Sequence, residues 1–201
     1  SLEDLREGIE FVRERSMILG LMVMGLVPTA FGKSLHFLLP AFNEEVISGG
    51  PGELGLLTAG MGIGALLGSF ILAKAGDFKR KGRMMFRLSY GWAVTIVIFA
   101  LTGSLFAAVV VGALTAFFSS LFGTLNMSLT QLATPQHVRG RVMSFVMVMS
   151  GITPLAFIPV GAIAEYSSIK SALIFTAIML ALSAKLMDRL FPELQKIDRG
   201  H

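Results

Sequence analysis

Apolar residues run through six stretches of this chain: Met17 to Leu39, Leu54 to Ala73, Met84 to Leu101, Leu105 to Leu132, Val142 to Ala164 and Ala172 to Leu190. Short polar connections separate them. Each helical residue rises about 1.5 Å, so about 20 residues cross a hydrocarbon layer roughly 30 Å thick. The repeated length predicts an all-α, polytopic transmembrane six-helix bundle over residues 17–190. Residues 1–16 precede it, with Ser1 as an N-cap, Glu3 and Asp4 in the first turn, and Leu2, Leu5, Ile9 and Val12 at helical spacing. That stripe fits an amphipathic linker helix on the cytoplasmic membrane surface, or a solvated linker helix. Residues 191–201 read as a cytoplasmic tail.

Composition agrees with lipid as the solvent. The chain is 54% hydrophobic and 15% charged, with mean hydropathy +0.73, too little charge for the surface of a water-soluble domain of 201 residues. It has no cysteine, which excludes disulfides, thiolate metal sites and cysteine catalysis. The pI near 9.7 does not point to nucleic acid, because the basic residues sit at the ends of apolar spans. Fifteen of the 17 Lys and Arg residues fall on alternate connections, among them Arg6, Lys74, Arg80, Arg139, Arg141 and Lys185. The opposite connections carry Glu44, Glu45, Glu53 and Glu165. Positive charge is retained on the cytoplasmic side, so both termini are expected there and the number of spans is even. The chain begins without Met and without a signal peptide, and is expected to be a piece of something longer.

Inside the spans, Gly60, Gly64 and Gly68 lie four apart and put three glycines on one helix stripe, where a neighbouring helix approaches closely. Gly151-Ile152-Thr153-Pro154 and Pro159-Val160-Gly161 interrupt the fifth span, freeing carbonyls that need protein or water partners. Lys33 and His36 share one face of the first span. Lys33 is expected near the outer edge, either snorkelling or on a water-filled pathway; His36 is a proton-coupling candidate or a hydrogen-bonded structural histidine. Ser119, Gly123, Asn126 and Thr130 form a polar stripe on the fourth span, either gluing helices or facing a cavity. Asn126 is the member that most needs a partner, since hydroxyls bond their own backbone. Apart from Asp188 in the last turn of the sixth, no Asp or Glu falls within a span.

Two connections echo one another, Lys81-Gly82-Arg83-Met84-Met85 and Arg139-Gly140-Arg141-Val142-Met143, each with a glycine that permits tight entry into the next helix. Their charges serve as membrane anchors or, with Asp77 nearby, as an ionic latch that changes partners.

At this level of detail the chain resembles the carboxyl-terminal half of a major facilitator superfamily transporter. Within that superfamily it is most similar to the branch of the enterobactin exporter and macrolide efflux proteins. The resembling segments are Leu5-Arg6-Glu7-Gly8-Ile9 with Phe11-Val12-Arg13, Gly55-Leu56-Leu57 leading to Gly62-Ile63-Gly64-Ala65-Leu66-Leu67-Gly68, and Arg139-Gly140-Arg141-Val142-Met143-Ser144. Gly76 to Arg83 resembles a degenerate copy of the cytoplasmic motif G-x-x-x-D-R-x-G-R-R, with Asp77, Gly82 and Arg83 recognisable and Ala73 in place of the leading glycine.

The resemblance implies alternating access between two six-helix bundles, this chain being one and an amino-terminal half the missing partner. It implies that the first, second, fourth and fifth spans face the cavity and that the third and sixth lie toward lipid. It assigns cytoplasmic gating to Asp77, Arg80, Gly82, Arg83, Arg139 and Arg141. With the residues above it marks Lys33, His36, Ser119, Asn126, Thr130 and Thr153 as a substrate pathway. The expected function is proton-coupled export of small amphipathic molecules, a siderophore or drug, across a bacterial inner membrane, with no cofactor and no metal. Rival readings are a nutrient importer on the same fold and a self-associating six-helix channel or scaffold. An enzyme is not expected, because neither H-E-x-x-H nor G-x-S-x-G occurs.

Overall fold

The computed structural model describes residues 16–76, 80–151 and 153–196. Six helices among them are long and apolar enough to cross a membrane: Ser16–Ile47, Pro51–Ala75, Lys81–Leu101, Leu105–Ala133, Arg139–Tyr166 and Ile169–Leu190. They are called the first to sixth spans below. The amphipathic helix expected before residue 16 and the latch carboxylate Asp77 lie outside the described residues.

The first span is longer than its apolar pattern suggested. Pro40 stays inside the helix, and the chain continues through a π-helical turn, Asn43–Ile47, before Ser48 turns it out at φ 56°. Asn43 holds that corner, its Nδ2 donating to the carbonyls of Gly49 and Gly50 at 2.9 and 3.0 Å. The second span starts at once, with Pro51 at its first position and the Glu53 carboxylate accepting from the Gly50 amide at 2.8 Å. Gly76 ends it at φ 59° and ψ −137°, a conformation open to glycine.

One end of the bundle gathers the basic residues. The Ser16 hydroxyl donates to Glu193 at 3.0 Å, joining the start of the first span to the 3-10 turn Pro192–Lys196 that follows the sixth. That turn folds back on the bundle: Leu194 is fully buried and Gln195 donates to Asp188. The beginning of the tail is therefore part of the packed structure.

The core centres on the third span. Trp92, Ile96 and Phe99 are buried there, Phe42 of the first span meets Phe99 with ring centroids 4.5 Å apart, and Leu173 and Leu180 of the sixth span fill the other side. Burial within this one bundle differs from span to span. The third and sixth are among the best covered, each keeping one exposed apolar stripe, Val94, Ile98 and Leu101 on one and Ile178, Leu182 and Leu186 on the other. The fifth span is the least covered, with 6% of its apolar window buried against 56% in the first and third. The third span packs between the fourth and the sixth, and the sixth between the third and the first, whereas the fifth touches the bundle along one edge.

The glycine stripe of the second span forms its seam with the fourth. A Cβ at Gly60 would lie 2.8 Å from Val109 Cγ1, one at Gly68 would lie 2.6 Å from the Phe117 carbonyl oxygen, and one at Gly64 would intrude on the backbone of Ala113. Three glycines four apart thus meet three backbone positions four apart, the close approach that small residues permit in lipid. Ser69 and Ser120 add an interhelical hydrogen bond of 2.6 Å at the end of this seam.

Gly64→Val is expected to destabilise the detergent-solubilised protein by about 1–3 kcal/mol, the usual cost of overpacking. Gly62→Val, on the open face of the same helix with nothing within 4 Å, should change the denaturation midpoint by much less. Equal losses in denaturant titrations would contradict the seam.

Candidate functional site

Two of the spans depart from regular α-helix. Pro28 and Pro40 remove amide donors from the first, and its helix is distorted at Lys33, which keeps right-handed helical dihedrals with its N–H on the Thr29 carbonyl at 2.9 Å while its own carbonyl accepts from His36 at 3.0 Å. The fifth is helical over Arg139–Ser150, turns at Gly151, passes through a 3-10 segment, Thr153–Ala156, and resumes over Phe157–Tyr166. The break in the fifth falls where the sequence placed it, at a glycine followed by a proline. The distortion in the first was not foreseen, because Gly32 lies in an otherwise regular apolar run.

Between these irregular segments and the fourth span lies a cavity of about 390 Å³. The first span contributes Met22, Gly25, Thr29 and Lys33, the fourth Phe122, Gly123, Asn126 and Thr130, and the fifth Phe145, Met149, Ser150 and Thr153. The first and fifth spans meet on either side of it. Ile18, Met22 and Val142 pack together toward the basic end, and Phe37 stacks on Phe157 at 5.3 Å toward the other.

The structure brings together four of the six residues expected on a substrate pathway: Lys33, Asn126, Thr130 and Thr153. His36 is exposed one turn beyond Lys33, outside the lining, and Ser119 is half-buried beside it, also outside. The interhelical hydroxyl is that of the neighbouring Ser120.

Lys33 is not near the outer edge. Its neighbour Gly32 packs on the indole of Trp92, close to the midpoint of Lys81–Leu101, and the 17 residues from Ser16 to Lys33 rise about 25 Å in a span that continues to Ile47. Lys33 therefore stands near mid-depth, where a lysine facing lipid costs about 2.5–3.5 kcal/mol. The cavity gives its ammonium somewhere else to go.

Asn126 finds the partner its chemistry requires. Its Nδ2 donates to the Leu21 carbonyl at 2.9 Å and lies 3.6 Å from Met85 Sδ, tying together the first, third and fourth spans. Gly25 makes this possible, since a Cβ there would collide with the Asn126 amide. The Thr130 hydroxyl is spent on its own helix, donating to the Asn126 carbonyl at 2.9 Å. Gly25, Gly32 and Thr29 were passed over in the sequence. The signal was the seven-residue spacing of the two glycines around Pro28, which puts both on one face.

At the basic end, Gly82 is buried beneath the Leu194 backbone, where a Cβ would strike the carbonyl, so this glycine serves the docking of the turn after the sixth span as much as helix entry. Gly140 in the echoing segment has open space. Arg80 occupies the N-cap of the third span at φ 64°, and Arg83 and Arg141 are exposed. The Arg139 guanidinium donates to the Thr134 carbonyl at 3.3 Å, placing a cation at the end of the fourth span where the helix dipole favours one. Among the described residues no group of three His, Cys, Asp or Glu side chains is placed to hold a metal ion.

Asn126→Ala should lower stability by about 0.6 kcal/mol, the average for an interhelical hydrogen bond in a membrane protein. Gly25→Ala should cost more, because it also displaces the amide, and the double variant should be less destabilised than the sum. An additive cycle would show that the two do not touch.

The family model described as transmembrane secretion effector matches residues 2–199, nearly the whole chain. Comparison with curated proteins finds no match. The match agrees with the six apolar spans, the irregular helices and the cavity between them, and the chain belongs to the transmembrane secretion effector family of major facilitator transporters.

Proposed function

We propose that this chain is one six-helix bundle of a secondary transporter that exports small amphipathic molecules, exchanging them for protons by alternating access in a bacterial inner membrane. The observation that carries this reading is the cavity at the two helix irregularities. Its walls are mostly apolar with a few convergent polar groups, and about 390 Å³ is enough for one small organic molecule. Discontinuous helices at mid-depth are where transporters bind their cargo.

The first and fifth spans touch above and below the cavity, and each contact is small: two stacked rings at one end and three aliphatic side chains at the other. The poorly covered fifth span supports a second bundle packing against it, and the amino-terminal six-helix half of the superfamily fold is the partner we assign to it. The described carboxylates lie at the span ends, so the proton carrier is assigned to that second bundle or to His36. The basic end is assigned to the cytoplasm by its positive charge. Similarity to the enterobactin and macrolide exporters supports outward transport of siderophore-like or drug-like cargo.

Gly123 lines the cavity with nothing within 4 Å of its Cβ position, so Gly123→Leu fills the cavity without a clash in the bundle. In inverted vesicles carrying the full-length protein, an acid interior should drive uptake of an amphipathic dye, and Gly123→Leu should slow it at least tenfold. Accumulation in the opposite direction would make the protein an importer. Dye movement equal to that in protein-free vesicles would leave the scaffold reading.

A further inference from the structure

We infer that the cavity selects anionic amphipathic molecules, with the Lys33 ammonium as the counter-charge for a carboxylate, sulfonate or similar head group. As a statement about cargo this rests on the transporter reading; as a statement about binding it stands on the cavity alone.

Among the described residues Lys33 is the one charged residue in the lining. The described carboxylates, Glu44, Glu45, Glu53, Glu165, Asp188 and Glu193, all sit at the ends of the spans or in the turns beyond them, and none lines the cavity. The Asn126 amide is neutral and supplies no opposite charge, and its Nδ2 is held by the Leu21 carbonyl. A lysine at mid-depth thus faces a largely apolar chamber, with no opposite charge among the described residues that this bundle contributes to its walls. In such surroundings attraction between unlike charges is several times stronger than in water.

The hydroxyls available nearby suit an anion. Thr29 is one turn before Lys33 on the same helix face, and Thr153 faces them from the break in the fifth span. Phe122, Phe145 and Met149 supply the apolar wall for the rest of the molecule. A cation of the same size would meet the ammonium with nothing to compensate it.

The test is equilibrium binding to the full-length protein in neutral detergent, corrected for protein-free micelles, with 8-anilinonaphthalene-1-sulfonate as the anionic probe and N-phenyl-1-naphthylamine as its neutral counterpart. Lys33→Gln should weaken the sulfonate at least tenfold and leave the neutral probe within twofold, and Lys33→Arg should keep the sulfonate within threefold. The wild-type protein needs no variant for the second measurement: dodecyl sulfate below its micelle concentration should displace the neutral probe at least tenfold more effectively than dodecyltrimethylammonium. Equal weakening of both probes by Lys33→Gln, unchanged sulfonate binding, or better displacement by the cation would overturn the proposal. Charge-selective binding without proton-driven flux would defeat the transporter reading and leave the anion site standing. Flux with no charge preference would do the reverse.

Discussion

Lipid tails are as apolar as leucine, so helices within a bilayer gain little by hiding apolar surface from their surroundings. What holds this bundle is how nearly its backbones touch. Gly60, Gly64 and Gly68 let the second span lie against Val109, Ala113 and Phe117 of the fourth, Gly32 admits the Trp92 indole, and Gly82 lies under Leu194. At each point a missing methyl group converts a gap into many dispersion contacts. The large apolar side chains left outside, such as Leu66 and Phe70, stand on the faces that these contacts leave uncovered.

The same constraint explains where polar groups stand. A hydroxyl or amide at membrane depth must find its partner in the protein. Ser89, Thr115 and Thr130 return to carbonyls of their own helices at 2.8 to 2.9 Å, which fixes them without binding helices together. Asn126 has no such option and reaches the first span, and it does so through the one residue there whose lack of a side chain admits it. Close packing by glycine and the interhelical amide are thus one arrangement. It holds the first span against the fourth and leaves the fifth lightly attached.

Much of this was legible from the sequence because period and length report directly on solvent. Six spans, their alternating polarity, the seam of the second span and the break at Gly151 all follow from local pattern. The first span escaped because Pro28 and Pro40 sit in positions a membrane helix tolerates, so its end at Ile47 and its distortion at Lys33 depended on tertiary contacts. Misjudging that end put Lys33 at the wrong depth. His36 shares a face with Lys33 by spacing, yet the distortion between them turns it away from the cavity. Which helices clamp which was not legible, because it is a property of three-dimensional arrangement and leaves no periodicity.

The central claim is that water reaches a chamber at mid-depth between the first, fourth and fifth spans while the outer stripes of the bundle face lipid. The chain has no cysteine, so single introduced thiols report on this without background. In reconstituted full-length protein, a membrane-impermeant maleimide should label Met127→Cys, in the cavity lining, within tenfold of the rate at Ser104→Cys in an exposed turn, and Ile178→Cys, on the outer stripe of the sixth span, at least a hundredfold more slowly. Labelling of Ile178→Cys as fast as Met127→Cys, or a Met127→Cys thiol as inert as one in lipid, would contradict the account.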